Sequence, residues 1–285
     1  MMSKKILVTG ATGNVGSDIT KKLAERDDNV RAAVRNPVKA REMDLGDAML
    51  VHFDYTKPSS FDMALEGVEK LVLIAPPATP NADELLTPVI DTAKKKGVKH
   101  IVLHSAMGVD ANDEIPMRKA ELYLENSGID YTIVRPNWFN QNFSSWMTDT
   151  IKQGAIYAPA EQAETSFIDT RDIADVIVTA LHDAKHKNKA YTLTGPEQLT
   201  YADVASKISE ATGKEVKYQP ISDEDFRGAM MNMGYDEANA EMMSGLFQFV
   251  RAGYNAPVND EVKKITGHDP IPFGQYAKDF ADTWK

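Results

Sequence analysis

A glycine-rich turn near residue 10 separates a short apolar run from a helical pattern. Ile6-Leu7-Val8 predicts a buried strand, the letters G-A-T-G-N-V-G run from Gly10 to Gly16, and residues 15–23 have the apolar spacing of a helix. In such a turn the first glycine permits the tight bend, Gly13 lets the backbone approach a phosphate, and Gly16 lets the helix pack on the strand. Free N–H groups at the positive end of the helix then bind the anion. The turn predicts a dinucleotide site, the alternative being an ordinary surface turn.

Apolar runs and helical patterns alternate over about two thirds of the chain. Predicted strands lie at residues 30–34, 49–53, 71–75, 100–104 and 131–135, and predicted helices include 83–96 and 117–126. This alternation indicates an α/β fold, a Rossmann-type doubly wound parallel sheet with ligands outside the carboxyl ends of its strands. Ser105 and Met107 follow the fifth strand and are candidate substrate-binding residues for that reason.

The second part of the chain has a different pattern, which predicts a smaller lobe. We assign 1–150 to an NAD(P)-binding Rossmann domain, whose sheet is completed by parts of 165–195, and 151–285 to a mixed segment that contributes a small, mostly helical substrate lobe. Residues 166–168 and 191–194 are predicted strands, and Thr200 with Asp203 is a predicted helix cap. One helical face carries Met242, Leu246, Phe249, Val250 and Gly253. We predict that this face is core, with the wall of a substrate pocket as the alternative.

Composition excludes several classes of function. The net charge of −10 comes without a basic block, which argues against a nucleic-acid surface. The chain has no cysteine, so thiol catalysis and disulfides are excluded. No apolar run approaches membrane-spanning length, and we predict a cytoplasmic protein with no membrane partner. His182 and His186 have a spacing that can bind metal but lack an acidic third ligand, so we predict a solvated pair and no metal site.

The residue after the second strand indicates which dinucleotide is bound. A site for NAD usually has Asp or Glu there to accept a hydrogen bond from the ribose 2′-OH, whereas a 2′-phosphate needs a cation. This chain has Arg35, followed by Asn36-Pro37. A guanidinium binds a phosphate through paired hydrogen bonds. Arg35 therefore predicts NADPH as the cofactor, with Lys39 as a candidate second cation; the alternative is a solvated arginine at a strand end.

The absence of one catalytic motif limits the reactions that this chain could catalyse. Short-chain dehydrogenases usually place Tyr four residues before Lys on the helix after strand five, where Lys lowers the pKa of the phenol. None of the ten tyrosines has Lys at that spacing, although Ser105 lies where that class has its serine. Alcohol oxidation by that mechanism would lack its base, and the catalytic residue stays unknown.

Several motifs together carry a family resemblance. They are the glycine turn, Arg35-Asn36-Pro37, Ala75-Pro76-Pro77, residues 127–136 (S-G-I-D-Y-T-I-V-R-P), Phe139, Asn142, Phe167-Ile168-Asp169 with the following Arg171-Asp172-Ile173-Ala174, and Ile265-Thr266-Gly267. The chain resembles the NmrA-like atypical short-chain dehydrogenase/reductase family over almost its whole length. Within that family it is most similar to the branch of triphenylmethane reductase, NADPH-quinone oxidoreductase and azoreductase. The resemblance implies a larger Rossmann domain and a small helical C-terminal lobe.

The resemblance also implies particular site residues. Cofactor contacts are expected at Gly10, Thr12, Gly13, Asn14, Val15, Arg35, Asp54, Ala75 and Pro76. Substrate contacts near the nicotinamide are expected at Asn137, Trp138 and Phe139. Many members carry Lys or His where this chain has Met117, so the resemblance assigns no proton donor, and Glu121 is expected to be structural.

Two functions follow from these expectations. The first is an NADPH-dependent reductase of flat, electron-poor aromatic or quinonoid compounds, namely quinones, azo compounds or triphenylmethane dyes. The second is a non-catalytic NADP(H)-binding redox sensor that acts on a protein partner. In either case we expect a monomer or homodimer.

Overall fold

The predicted alternation folds into strands and helices whose bounds lie within a few residues of those expected. The computed structural model describes residues 5–77 and 79–285. The strands are β1 (Lys5–Val8), β2 (Asn29–Val34), β3 (Met49–His52), β4 (Val68–Ile74), β5 (His100–His104), β6 (Asp130–Pro136), β7 (Ala155–Ala158), β8 (Glu164–Thr165), β9 (Lys189–Leu193), β10 (Leu199–Thr200) and β11 (Lys217–Pro220).

The helices connect these strands and dominate the last third of the chain. The α-helices are α1 (Asn14–Ala24), α2 (Pro37–Ala40), α3 (Ser59–Ala64), α4 (Ala82–Lys95), α5 (Pro116–Glu125), α6 (Thr148–Lys152), α7 (Thr170–His182), α8 (Tyr201–Thr212), α9 (Asp223–Asn232), α10 (Glu237–Arg251), α11 (Glu261–Thr266) and α12 (Phe273–Asp279). Short 3-10 helices lie at Val109–Ala111, Asn140–Asn142, Ala184–His186 and Ala281–Trp284.

Contacts along the chain divide it into two compact units. The first unit runs to Pro136 and includes Thr170–Thr192, and the second comprises Asn137–Asp169 and Leu193–Lys285. Residues 137–150, which we expected in the first domain, belong by their contacts to the second unit. Whether the units are separate folding domains stays a prediction.

The first unit is built on a seven-stranded sheet with the order β3-β2-β1-β4-β5-β6-β9. β1 pairs in parallel with both β2 and β4, and the pairs β2–β3, β4–β5 and β5–β6 are also parallel. The apolar runs of the central strands β1, β4 and β5 are nearly continuous because most of their residues are buried on both faces of the sheet. The carboxyl ends of these parallel strands lie on one edge, as a Rossmann-type site requires. The expected fold class is confirmed.

The second unit has an aromatic core under its helices. Its large, fully buried side chains include Phe143, Tyr201, Phe247, Phe273 and Trp284. Two small sheets belong to this unit: β7 pairs in parallel with β11, and β8 pairs in antiparallel with β10. No helix within the described residues is long and apolar enough to cross a membrane.

Two expectations for this unit are wrong. Residues 166–168 do not form a strand: Ile168 makes an isolated bridge with Phe139, and the backbone N–H of Ser166 donates to the carbonyl of Asn255. The predicted core face of α10 is also displaced, because Leu246 is 40% exposed and Phe249 is 54% exposed. The buried side of α10 instead carries Ala240, Ser244, Phe247 and Val250. Apolar residues lie on two neighbouring sides of this helix, and the aromatic core buries only one of them.

Candidate functional site

The glycine turn forms a tight cradle at the end of β1. Gly10 adopts a φ of +61°, a left-handed conformation that favours glycine, and the N–H of Gly13 donates to the carbonyl of Gly10 at 2.9 Å. A Cβ at Gly16 would lie 2.1 Å from that same carbonyl oxygen. α1 begins directly afterwards, with Gly13 as its N-cap residue. No side chain caps the helix, and the first turn, all of which the structure describes, contains no acidic residue. The helix amides are thus left open, and the cradle fits a dinucleotide pyrophosphate.

A buried hydroxyl network holds this turn against the end of β4. The hydroxyl of Tyr55 donates to the carbonyl of Ile74 at 2.6 Å and lies 3.0 Å from Oγ1 of Thr9. Thr9 Oγ1 also accepts from the N–H of Ile74 at 2.7 Å. Burial raises the pKa of the Tyr55 phenol and keeps it protonated. A Cβ at Gly10 would lie 3.3 Å from the Ile74 side chain, so the turn passes close to the end of β4. The hydroxyl network therefore holds the turn beside the Ala75-Pro76 segment, which follows β4.

Arg35 lies at the carboxyl end of β2 with an uncommitted guanidinium. Its side chain is exposed, and within residues 5–77 and 79–285 the guanidinium makes no ion pair or hydrogen bond; the same holds for the ammonium group of Lys39. The Asn36 side chain accepts from the N–H groups of Val38 and Lys39 and so begins α2. Since β1, β2 and β4 are neighbours, Gly10, Arg35 and Ala75 lie on one edge of the sheet.

The other expected cofactor residues also lie in the first unit. Thr12 and Asn14 are exposed in the turn, whereas Val15 is buried in the core. The Asp54 carboxylate accepts from the hydroxyl of Thr56 at 2.8 Å and from its N–H at 3.0 Å, and these bonds lower the pKa of Asp54. Pro76 follows β4, and its carbonyl accepts from the hydroxyl of Thr79 at 2.7 Å. The binding role of all these residues remains a prediction.

A buried charge cluster lies at the ends of β5 and β6. Glu121 of α5 is fully buried, and Ser105 Oγ donates to its Oε1 at 2.6 Å. Arg135 donates through Nε to Oε1 at 2.9 Å and through Nη2 to Oε2 at 2.7 Å, while Arg118 Nη1 donates to Oε2 at 2.8 Å. Burial acts to lower the pKa of the Arg135 guanidinium, but its hydrogen bond to Glu121 and the negative charges of Glu121 and Asp110 together outweigh burial, so the pKa is raised. Four donors therefore saturate one carboxylate.

Backbone contacts pin the neighbouring segment. The N–H of Ser105 donates to the carbonyl of Val134 at 2.8 Å, and the N–H of Met107 donates to the carbonyl of Pro136 at 3.0 Å. Asp110 completes the cluster by accepting from Arg135 Nη1. Ser105 is buried and Met107 half-buried. A substrate role for either residue stays a prediction.

The segment after β6 lies in the second unit. The amide of Asn137 donates to Ser166 Oγ and to the carbonyl of Asn255, each at 2.8 Å, and its Oδ1 accepts from Asn255 Nδ2 at 2.8 Å. This buried side chain is thus committed within the unit. The Trp138 ring is half-buried, 4.9 Å from the Phe247 ring. Phe139 forms the bridge with Ile168, and the substrate roles of these residues also stay predictions.

Sequence reasoning missed or misjudged several side chains. Nothing in the local pattern marked Tyr55 as the link between β1 and β4, because its partners are distant in sequence. Arg118 was also missed, although it lies three residues before Glu121 on α5 and that helical spacing was a usable signal. The expectation of a solvated histidine pair is wrong for His186 only, since His182 is exposed. His186 is buried with Nδ1 2.8 Å from the Tyr191 hydroxyl, and His182 Nε2 lies 3.1 Å from Oδ2 of Asp28.

Comparisons with known proteins agree with a dinucleotide-binding fold. The family model described as NAD(P)H-binding matches residues 10–184. The NAD(P)H azoreductase of Xenophilus azovorans is 34% identical, covering 96% of this chain and 96% of that protein. Quinone oxidoreductase 2 of Escherichia coli is 28% identical, covering 92% and 94% of the two chains.

A solved structure extends the likeness to the whole fold. The triphenylmethane reductase of Citrobacter sp. complexed with NADP(H) has a TM-score of 0.80 and 27% identity, covering 97% of this chain and 99% of that one. The expected family resemblance is confirmed. The chain belongs to the NAD(P)H-binding family and is an NAD(P)H-dependent oxidoreductase.

Proposed function

We propose that this protein is an NADPH-dependent reductase of flat, electron-poor acceptors such as quinones, azo compounds or triphenylmethane dyes. The observation that carries the proposal is the open glycine cradle at β1 beside the uncommitted guanidinium of Arg35 at β2. The names of the relatives support the acceptor class, since one is an azoreductase, one a quinone oxidoreductase and one a triphenylmethane reductase.

The cradle and Arg35 bind different parts of the cofactor. The open amides at the start of α1 bind the pyrophosphate, and Arg35, with Lys39 beside it, binds the 2′-phosphate. Thr12, Asn14, Asp54 and Ala75-Pro76 complete the contacts. NADPH, when bound, supplies a hydride to the acceptor.

The remaining residues position the acceptor rather than protonate it. Quinones, azo compounds and cationic dyes delocalise the arriving charge, so solvent can supply the proton and no Tyr–Lys pair is needed. Met107, which follows β5, is the candidate within the first unit for orienting the flat acceptor, and the expected substrate roles of Trp138 and Phe139 in the second unit stay predictions. We further propose that the protein works in the cytoplasm as a monomer or homodimer.

A turnover assay tests this function. NADPH oxidation is followed by absorbance with a panel of one quinone, one azo dye and one triphenylmethane dye, and NADPH binding is measured separately by tryptophan fluorescence. We expect oxidation with at least one acceptor, and less with NADH than with NADPH. Tight NADPH binding without turnover of any acceptor would instead support the non-catalytic sensor.

A further inference from the structure

We infer that Ser105 meets a bound ligand only as a hydrogen-bond acceptor, because Glu121 holds its hydroxyl proton. This inference rests on the proposed function and deepens it, since it defines which group of the cofactor or acceptor Ser105 can recognise. That group must carry an N–H or an O–H. The carboxamide of the nicotinamide and a hydroxyl of a reduced, quinol-like product both qualify.

The first step assigns the proton. Oε2 of Glu121 accepts from Arg135 Nη2 at 2.7 Å and from Arg118 Nη1 at 2.8 Å, and both guanidinium groups stay protonated in proteins. A proton on Glu121 would thus have to lie on Oε1, between Ser105 and Arg135 Nε. It would leave the buried Arg135 and the half-buried Arg118 facing a neutral acid, which is strongly unfavourable. Glu121 is therefore a carboxylate, and at 2.6 Å Ser105 donates to it.

The second step follows from the chemistry of a hydroxyl. Serine has one O–H donor and two acceptor lone pairs. Because its single proton goes to Glu121, Ser105 has only lone pairs left for a ligand. It cannot donate to the carbonyl oxygen of a quinone. Glu121 acts through Ser105 and is therefore a positioning residue.

The third step concerns location. Ser105 follows β5 directly, and β5 lies between β4 and β6 in the parallel sheet. Ligands of such sheets bind outside the carboxyl ends of the strands. The hydrogen bond from the N–H of Ser105 to the carbonyl of Val134 fixes the backbone at this edge. Ser105 is 3% exposed, so a ligand can reach only a small part of this residue.

A binding experiment tests the inference without requiring turnover. Dissociation constants are measured by calorimetry for NADP⁺ and for its 3-acetylpyridine analogue, which has a methyl ketone in place of the carboxamide and so lacks the N–H. A second arm compares a quinol with its dimethyl ether in the presence of NADP⁺. The proteins are the wild type, Ser105→Ala, Glu121→Gln, and Glu125→Gln, a control on the same helix that also removes a partner of Arg118.

We expect the wild type to favour the N–H or O–H ligand of one pair by roughly five- to tenfold, the effect of one hydrogen bond. A preference in the first arm means that Ser105 accepts from the carboxamide N–H, and a preference in the second arm means that it accepts from the quinol O–H. Ser105→Ala should abolish that preference. Glu121→Gln should weaken it, because an amide N–H can donate to Ser105 and release the serine proton, while Glu125→Gln should keep it.

Other results would overturn the inference. If Ser105→Ala leaves both preferences unchanged, Ser105 does not accept from the ligand. If that variant lowers kcat for a quinone while the preferences persist, Ser105 acts as a donor. Thermal melts check folding, and if Glu121→Gln fails to fold, Ser105→Ala still decides. A preference that disappears in Ser105→Ala while no protein turns over any acceptor would support the inference and reject only the proposed reductase.

Discussion

At the scale of single residues, the glycine cradle depends on a backbone approach that only Gly16 allows. A Cβ there would lie 2.1 Å from the carbonyl oxygen of Gly10, and the obstacle is backbone, which cannot rotate away. By contrast, Gly228 in α9 has no atom within 4 Å of an added Cβ. The two glycines therefore have opposite requirements despite being the same residue type.

We expect Gly16→Ala to weaken NADP(H) binding by at least about tenfold, because displacing the turn moves the amides that hold the pyrophosphate. It should also lower the free energy of unfolding. Gly228→Ala is the matched control, and it should stabilise the protein by roughly 0.5–1 kcal/mol because alanine is the better helix former. Calorimetry and urea denaturation measure both effects. Unchanged cofactor affinity in Gly16→Ala would contradict the role of the cradle.

Arg35 is the second residue for which we predict a change in cofactor affinity. Arg35→Ala should weaken NADPH binding by roughly 10- to 100-fold, the usual effect of a charge-assisted contact, with little change for NADH, since only NADPH carries the 2′-phosphate. Arg26→Ala removes another exposed arginine, just after α1, and should change neither affinity. An equal loss of affinity for NADPH and NADH in Arg35→Ala would contradict a role of Arg35 in binding the 2′-phosphate.

At the scale of elements, α8 has both of its ends marked in the sequence. Thr200 Oγ1 accepts from the N–H of Asp203 at 3.1 Å, and Asp203 Oδ2 accepts from the N–H of Thr200 at 2.9 Å. These reciprocal bonds form a capping box. Gly213 ends the helix with a φ of +70°. The helix carries Val204 and Ile208 into the aromatic core, so its start helps to stabilise the second unit.

We expect Thr200→Ala to reduce the free energy of unfolding by roughly 0.5–2 kcal/mol, because the N–H of Asp203 loses its acceptor. Thr200→Ser keeps the hydroxyl and should retain most of the stability. Urea titrations followed by tryptophan fluorescence report on this unit directly. A loss of similar size in both variants would point to packing of the threonine methyl instead of the cap.

At the scale of the whole molecule, buried histidines couple stability to pH. His100 Nε2 lies 3.0 Å from Thr132 Oγ1, and that hydroxyl donates to the carbonyl of His186 at 2.9 Å. His100 is therefore the donor and carries its proton on Nε2. Burial, with smaller effects of Lys187 and Lys70, lowers the pKa of His100 to about 4, and burial also lowers the pKa of His186.

Acid should therefore destabilise the fold before the carboxylates titrate. The unfolded chain binds protons on these histidines near pH 6.5, whereas folded His100 does so only near pH 4. Their contribution to stability is full above about pH 6.5 and is lost as the pH falls towards 4. Urea denaturation at pH 7 and pH 5 should show the loss, and His100→Gln should reduce it. A free energy of unfolding that does not change between these pH values would contradict the assignment.

The sequence alone was sufficient for features that depend on neighbours along the chain. The glycine turn, the alternation that produces the parallel sheet, and the Thr200–Asp203 cap are local patterns, since a turn, a strand or a cap is decided within a few residues. Arg35 could be identified for the same reason, because its place at the end of β2 follows from the strand itself.

The tertiary structure decided everything that depends on partners far along the chain. Contacts of Phe247 decide which side of α10 is buried, since its ring centroid lies 5.0 Å from that of Phe226 and 4.9 Å from that of Trp138. The backbone of the 166–168 segment bonds to residues far along the chain instead of pairing as a strand, since the N–H of Ser166 donates to the carbonyl of Asn255. The state of the Ser105 hydroxyl depends on Glu121, which depends in turn on Arg135. A periodic sequence shows that a side chain is apolar or polar, but which partner it meets is fixed only when strands and helices pack.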